Sequence, residues 1–388
     1  MTRRIMGNIF RNERKVPELM KQKMPRFLVL HPLFFLLFTV AIARGQDNPI
    51  SPEEYQSQIR AGFSTNWFKS FAKKPMKKYS EKNIEDIHDK GFSNLRIRCD
   101  AELYSSKVEF QWFLGNLTTI VDGCLKHDVI PIISWIHHHA EAYATEEDHD
   151  AYVAWWTAVA RQLKDRDYRL SFNLFTELGI DTCSKGKTEK KIVEKLCNNS
   201  LRRRTDKYNR WTKDVTKAIR ATGGKNAKRI IILASPGKTA KDLDRIDPSI
   251  YKNDSYMMVE WHLYASGPIK TPGSQKYWSG DGKREGQENV KKAINDATHF
   301  TNVTGLRTYL GAWMPQDNMK GTLTQAEVMK FAVFFVKELR RAKIPWSMNV
   351  LDNYYDTKES KWLKKPQRIV GRKLNMAKIL NNIRKVMP

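Results

Sequence analysis

Residue types that do acid–base work recur where short apolar runs end. Phe172-Asn173-Leu174-Phe175-Thr176-Glu177 closes on a glutamate, and Ile132 to Ile136 runs into His137-His138-His139. Glu260-Trp261-His262-Leu263-Tyr264 alternates polar with apolar side chains, and Arg96 lies in a run that Asp100 follows. A carboxyl at such a place is a candidate general acid or base. It is equally a solvated strand end, and the choice depends on what surrounds it. Neighbouring residues of a strand point to opposite faces, so at most two of the three histidines converge and no metal site is expected. Ser235-Pro236-Gly237-Lys238-Thr239 ends like a phosphate loop, but Ile232 stands where that motif needs its first glycine.

These segments need a scaffold that brings strand ends together. The chain alternates β-rich runs with amphipathic helical stretches, the pattern of parallel βα units. Eight runs read as strands: Gly62 to Asn66, Asn94 to Arg98, Val129 to Trp135, Arg169 to Phe175, Arg229 to Ala234, Tyr256 to Tyr264, Arg307 to Trp313 and Pro345 to Val350. Eight parallel strands close into a (β/α)8 TIM barrel, whose chemistry lies at the C-terminal ends of its strands. Helix starts are marked by Ser51-Pro52 with Glu54, Thr145 with Asp148 and Thr324 with Glu327, and stops by Gly91 and Gly223-Gly224. Without internal repeat or linker, residues 46–388 read as one α/β domain. The Gly/Pro/Ser/Lys-rich stretch from Ala265 to Gly286 reads as a long loop after strand six. Its Trp278 either stacks on a sugar ring or plugs the loop's own small core.

The first 45 residues differ. Eight basic residues from Arg3 to Arg26 precede a mainly apolar run from Phe27 to Ala43, then small residues at Ala41, Ala43 and Gly45. This reads as a signal peptide, or, if uncleaved, as a signal anchor and the chain's membrane contact. A secreted body is expected, with sequons at Asn116, Asn198, Asn253 and Asn302 open to glycosylation. In an oxidising compartment Cys183 and Cys197 form a candidate disulfide around a lysine-rich loop, while Cys99 and Cys124 read as buried free thiols. The net charge is +26 for the chain and +19 from residue 46 onward. The positive charge is dispersed and no nucleic-acid module is recognisable, which favours glycans, anionic ones included, over nucleic acid. A monomer without a cofactor is expected.

The order of these motifs resembles glycoside hydrolase family 5, the cellulase-like members of the retaining (β/α)8 clan, over most of residues 60 to 355. Gly62-Phe63-Ser64-Thr65-Asn66 is similar to the family's first strand, and Gly91 to Ile97 to its strand-two arginine motif. Ile132 to His138 resembles the strand-three motif. Trp156, Val159-Ala160 and Phe172 to Glu177 resemble the approach to the acid/base glutamate, and Ala218 to Asn226 is the most specific stretch, structural in meaning. The resemblance implies hydrolysis of O-glycosyl bonds in β-linked polysaccharide. It gives Glu177 the acid/base role and makes His137 (or His138), His262 and Tyr264 contacts to sugar or to the nucleophile, which Arg96 would orient. Other positions depart from the pattern. The strand-seven nucleophile position holds Ala312, between Gly311 and Trp313; Thr176 replaces the asparagine before the acid/base; and Asn349 stands at the strand-eight tryptophan position.

Retaining hydrolysis needs two carboxyl groups about 5 Å apart. Glu260, Asp317 and Asp352 are the candidates for a substitute, with Glu260 also readable as a buried partner of Arg96. Three readings follow. The first is a hydrolase with an unconventional second carboxylate. The second is a non-catalytic barrel that holds glycan with Trp135, Trp261, Trp313 and Trp278. The third is an extracellular interaction scaffold with its cleft filled.

Overall fold

The computed structural model describes residues 47–69, 79–176, 178, 200–264, 284–316, 323–369 and 372–387. Residues 1–46, Glu177, Cys183, Cys197, Asn198, Trp278 and Asp317 lie outside the described residues.

Eight strands, β1 (Ala61–Phe68), β2 (Asn94–Asp100), β3 (Ile130–Ile136), β4 (Ser171–Asn173), β5 (Ile231–Ala234), β6 (Met257–Tyr264), β7 (Arg307–Met314) and β8 (Trp346–Asn349), form a closed barrel in chain order. Parallel pairing of Ala61 with Trp346 and of Ser64 with Asn349 closes it. Helices lie in the connections: α1 (Pro52–Ile59), α2 (Lys82–Asp89), α3 (Lys107–Lys126), α4 (His138–Tyr143), α5 (Glu146–Leu163), α6 (Thr205–Ala221), α7 (Arg284–Thr304), α8 (Gln325–Arg341) and α9 (Met376–Arg384). All eight expected strands are present, and the fold is the (β/α)8 barrel.

The caps follow the sequence. Thr145 with Asp148 and Thr324 with Glu327 make reciprocal capping boxes, each threonine accepting the N3 amide and each carboxylate reaching back to the cap. Ser51 accepts from the Glu54 amide at 3.2 Å, but Glu54 bonds Gln58 and does not return to the cap. Gly91 ends its helix at φ +91°, a conformation that a Cβ would strain. The stretch from Ala218 to Asn226 joins α6 to β5. Arg220 donates to the carbonyls of Asn226 and Arg229, Asn226 donates to Ala160 O at 2.7 Å, and Arg229, fully buried, donates to carbonyls of the α5–β4 turn such as Arg166 O at 2.6 Å. Its meaning is structural because those carbonyls would otherwise be buried unpaired.

Apolar burial separates into two bodies. The larger lies between strands and helices; the smaller fills the barrel, where Ile132, Ile232, Met258 and Tyr309 meet Tyr55 and Ile59 of α1. The α1 helix therefore plugs the N-terminal end. Above this plug the interior turns polar. Asn94 donates to Ile59 O at 2.6 Å and Trp346 O at 3.1 Å and accepts from Ser347, which also bonds Tyr309. Asn94 reaches these partners only by crossing Gly62, where a Cβ would land inside the Asn94 side chain and against its carbonyl oxygen. Gly62→Ala is expected to cost about 3 kcal/mol through overpacking, and thermal denaturation against the wild type checks it; an unchanged melting temperature would refute the close approach.

Candidate functional site

Strand periodicity decides what enters the barrel. On β6, Met258, Glu260 and His262 face the interior, while Val259, Trp261 and Leu263 join the shell under the helices. On β3, Ile132 and Ser134 face in, and Ile133 and Trp135 face out. The interior residues converge on one buried ion pair. Arg96 Nη2 donates to Glu260 Oε1 at 2.6 Å, with Arg96 0% and Glu260 1% exposed. Arg96 also donates through Nε and Nη2 to Asn173 Oδ1 at 3.0 and 2.8 Å, and through Nη2 to Thr176 O at 2.6 Å. Asn173 Nδ2 donates to Glu260 Oε2, His262 Nε2 bonds Glu260 Oε1, and Ser134 Oγ donates to Asn173 Oδ1 at 2.5 Å while meeting Thr176 Oγ1 at 2.8 Å. Both carboxylate oxygens of Glu260 are thus engaged. Among the described residues, Arg96 Nη1 and His262 Nδ1 are buried without a hydrogen-bond partner.

Strand β7 adapts to this pair. Trp261 pairs with Leu310 and His262 with Ala312, so Gly311 is an extra, bulged residue. A Cβ on Gly311 would land on Glu260 Oε1 and Cδ, so glycine there makes room for the carboxylate. Beyond the bulge Ala312 lies opposite His262 and is 3% exposed. One layer further, Arg98 Nη1 donates to Asn66 Oδ1 at 3.0 Å and to Asn349 Oδ1 at 2.9 Å.

The structure therefore gathers Arg96, Glu260, His262, Thr176 and Ala312 at the C-terminal mouth of the barrel, with Tyr264 one step along β6 and its ring centroid 6.3 Å from that of His262. It does not bring Trp313 there. Trp313 is fully buried outside the strands, 5.3 Å from Phe335 and 5.4 Å from Trp346 between ring centroids, and the Gly311 bulge is the reason, because one added residue reverses the strand's facing. Trp135 and Trp261 are buried in the same shell, so none of these three tryptophans is available as a sugar platform. Trp346 also faces outward, leaving Asn349 as the inward residue at the end of β8.

The three histidines diverge. His137 caps α4, its Nδ1 accepting from the Ala140 amide at 3.2 Å; His138 Nδ1 lies 3.8 Å from the buried Glu141; His139 is largely exposed, 3.8 Å from Asp148. Among the described residues no group of three His, Cys, Asp or Glu side chains is placed to hold a metal. Asp352, half-buried in the turn after β8, forms no ion pair with Arg96, whose carboxylate partner is Glu260. Cys99 and Cys124 are buried free thiols, and of the sequons Asn253 and Asn302 are exposed while Asn116 is half-buried on α3. Ser134 and Asn173 belong to the network, and Ser64 Oγ donates to Gly311 O at 3.4 Å; all three lie within the motif segments without being singled out there as site residues. Their signal was polarity at inward-facing positions of otherwise apolar strands.

A closed (β/α)8 barrel with polar side chains gathered at its C-terminal mouth is the architecture of many enzymes. The chain belongs to glycoside hydrolase family 5: the cellulase (glycosyl hydrolase family 5) model matches residues 52–354. It is 27% identical over 192 residues to the cellulase/esterase CelE of Acetivibrio thermocellus, a match covering 47% of this chain and 22% of that protein. It is 25% identical over 218 residues to endoglucanase B of Clostridium cellulovorans, covering 53% and 44%. The chain thus spans less than half the length of these relatives. Among solved structures it resembles the broad-specificity endoglucanase of Clostridium acetobutylicum, at TM-score 0.65 and 17% identity over 86% of this chain and 99% of that one. It also resembles a family 5, subfamily 4 protein in complex with a cellotriose, at 0.66 and 18% over 87% and 98%. At these identities the structures speak to the fold.

Two outcomes test the site. Arg96→Gln or Glu260→Gln alone strands a buried partner and should cost about 3–5 kcal/mol, while the double variant should cost clearly less than the sum in a denaturation cycle; strict additivity would mean the pair does not act as a unit. Burial raises the Asp100 carboxyl above its usual range, outweighing the attraction of His138. A carboxyl raised on folding contributes its stability fully below its unfolded pKa, about 3.9, and loses it as pH rises through the folded value. Asp100→Asn should therefore match the wild type in acid and become relatively more stable toward neutral pH. Parallel melting curves across that range would reject the shift.

Proposed function

We propose that the protein is a secreted barrel of cellulase lineage that holds a β-linked polysaccharide at the C-terminal mouth and does not cut it by the two-carboxylate route. The observation that carries this reading is the state of Glu260. Double displacement needs a nucleophilic carboxylate with an oxygen free to meet the anomeric carbon. Glu260 Oε1 is shared by Arg96 and His262, and Oε2 takes the Asn173 amide. Ala312, at the position that the resemblance assigns to the nucleophile, offers a methyl group.

Glu177 as remaining acid, with His137, His138, His262, Tyr264 and Asn349 as contacts to sugar hydroxyls, completes the proposal, as does the N-terminal apolar run as the signal that takes the chain outside the cytosol. Support for a polysaccharide ligand comes from the family and from the cellotriose in one structural relative. A hydrolytic reading that uses Glu260 would require it to leave its three partners, at the cost of stranding Arg96.

The test titrates secreted protein with β-glucans, mannans and acidic glycans, scoring binding and reducing-end release together in wild type and Glu177→Gln. Binding with release at least about 10³-fold below that of a two-carboxylate family member, unchanged in Glu177→Gln, is expected. Robust release that vanishes in the variant would make the protein a working glycosidase.

A further inference from the structure

Residues 355–388 lie beyond the stretch that the family model matches and contain ten Lys/Arg against two Asp/Glu. They build two short antiparallel hairpins, β9 (Tyr355–Asp356) with β10 (Lys361–Trp362) and β11 (Gln367–Ile369) with β12 (Arg372–Leu374), and then α9. The inner side of this appendage is fixed to the barrel. Asn83 donates to Thr357 O at 3.1 Å and to Tyr355 OH, Tyr355 OH donates to Asp86 at 2.6 Å, and Trp362 packs on Phe63 and Tyr355. Leu374, Met376, Ile379 and Ile383 are buried.

The outer side is rich in positive charge, although Lys361 stands opposite Asp356 in the β9–β10 ladder. Lys361, Lys364, Lys365, Arg368, Lys373 and Lys385 are exposed, and none has a carboxylate within ion-pair distance among the described residues. Positive groups even face one another. Arg368 stands directly opposite Lys373 in the β11–β12 ladder, an arrangement that destabilises a hairpin. Lys90 lies 5.1 Å over the Trp362 ring, and Arg384 donates to Lys90 O at 2.8 Å; the Lys90 ammonium is held below its usual range by burial and then by the Arg384 charge. A bound polyanion would relieve this repulsion.

We propose that this appendage is a second carbohydrate surface, distinct from the barrel mouth, that binds an anionic polysaccharide through sulfate or uronate groups. Arg368 and Lys373 make a cross-strand cation pair, and the exposed Lys364 and Lys365 lie in the segment that joins the two hairpins, so the appendage presents clustered cations to an anionic polymer. The surface lacks what a bilayer would require, since the exposed large apolar side chains of the described residues are Val108, Trp112 and Val303, all elsewhere.

The experiment uses the full secreted chain, with heparin as sulfated probe, polygalacturonate as uronate probe, hydroxyethyl cellulose as neutral control, and phosphatidylserine vesicles and duplex DNA as rival polyanions. At least one acidic glycan should bind, weakening about tenfold or more between 50 and 200 mM salt. Arg368→Gln/Lys373→Gln and Lys364→Gln/Lys365→Gln should each weaken it about fivefold further. The first pair should melt no lower than wild type, and hydroxyethyl cellulose binding should not change in either variant. Failure of both acidic glycans to bind, unaltered binding in the variants, or tighter binding to vesicles or DNA would overturn the proposal.

Discussion

The ion pair between Arg96 and Glu260 is the constraint around which the barrel interior is arranged. Two charges removed from water carry a desolvation penalty of several kcal/mol each unless every donor and lone pair nearby is well used. Here strands β2, β3, β4 and β6 each supply a member of the network, and β7 yields space through Gly311. The pair therefore ties side chains from non-adjacent strands across the barrel, and the ladder hydrogen bonds that close the sheet need not carry the interior alone.

That arrangement has a chemical consequence. A carboxylate whose two oxygens are both held by hydrogen-bond partners is a weaker nucleophile, since attack on carbon must give those bonds up. The geometry that makes Glu260 tolerable inside the protein is thus opposed to its use as a reacting group. Asn173 and His262 reinforce this by fixing both oxygens from different sides.

Much of this was legible in the residues, and the limits have physical causes. The eight strands were readable because apolar runs bounded by turn residues have few alternatives. Strand β4 is shorter than its run because Leu174 and Thr176, although still donating to Ile232 O and Trp135 O, leave the regular ladder. The facing of β6 was readable as well: Glu260 and His262 share a side, which forces Trp261 to the other. On β7 the same logic misleads. Strict alternation from the inward Tyr309 sends Gly311 and Trp313 inward, but the bulge puts Ala312 opposite His262 and turns Trp313 toward α8. No local signal announced that bulge beyond a glycine in a strand, and its cause, the Glu260 carboxylate, lies about 50 residues away in the chain.

The two charge environments of the molecule differ in kind. Inside, the Arg96 guanidinium is matched by a carboxylate and oriented amides, so its charge is used up within the fold. Outside, in the 355–388 appendage, Arg368 and Lys373 sit across a hairpin ladder with no carboxylate at ion-pair distance among the described residues, although the backbone beneath them is firmly anchored through Asn83, Tyr355 and the buried face of α9. A hairpin with no task would gain stability by losing one of two facing cations, because like charges directly opposite in a sheet are unfavourable. Retaining both on a fixed support separates the cost of holding the charges in place from the moment of binding, which is the condition under which an electrostatic surface captures a polymer with little ordering penalty.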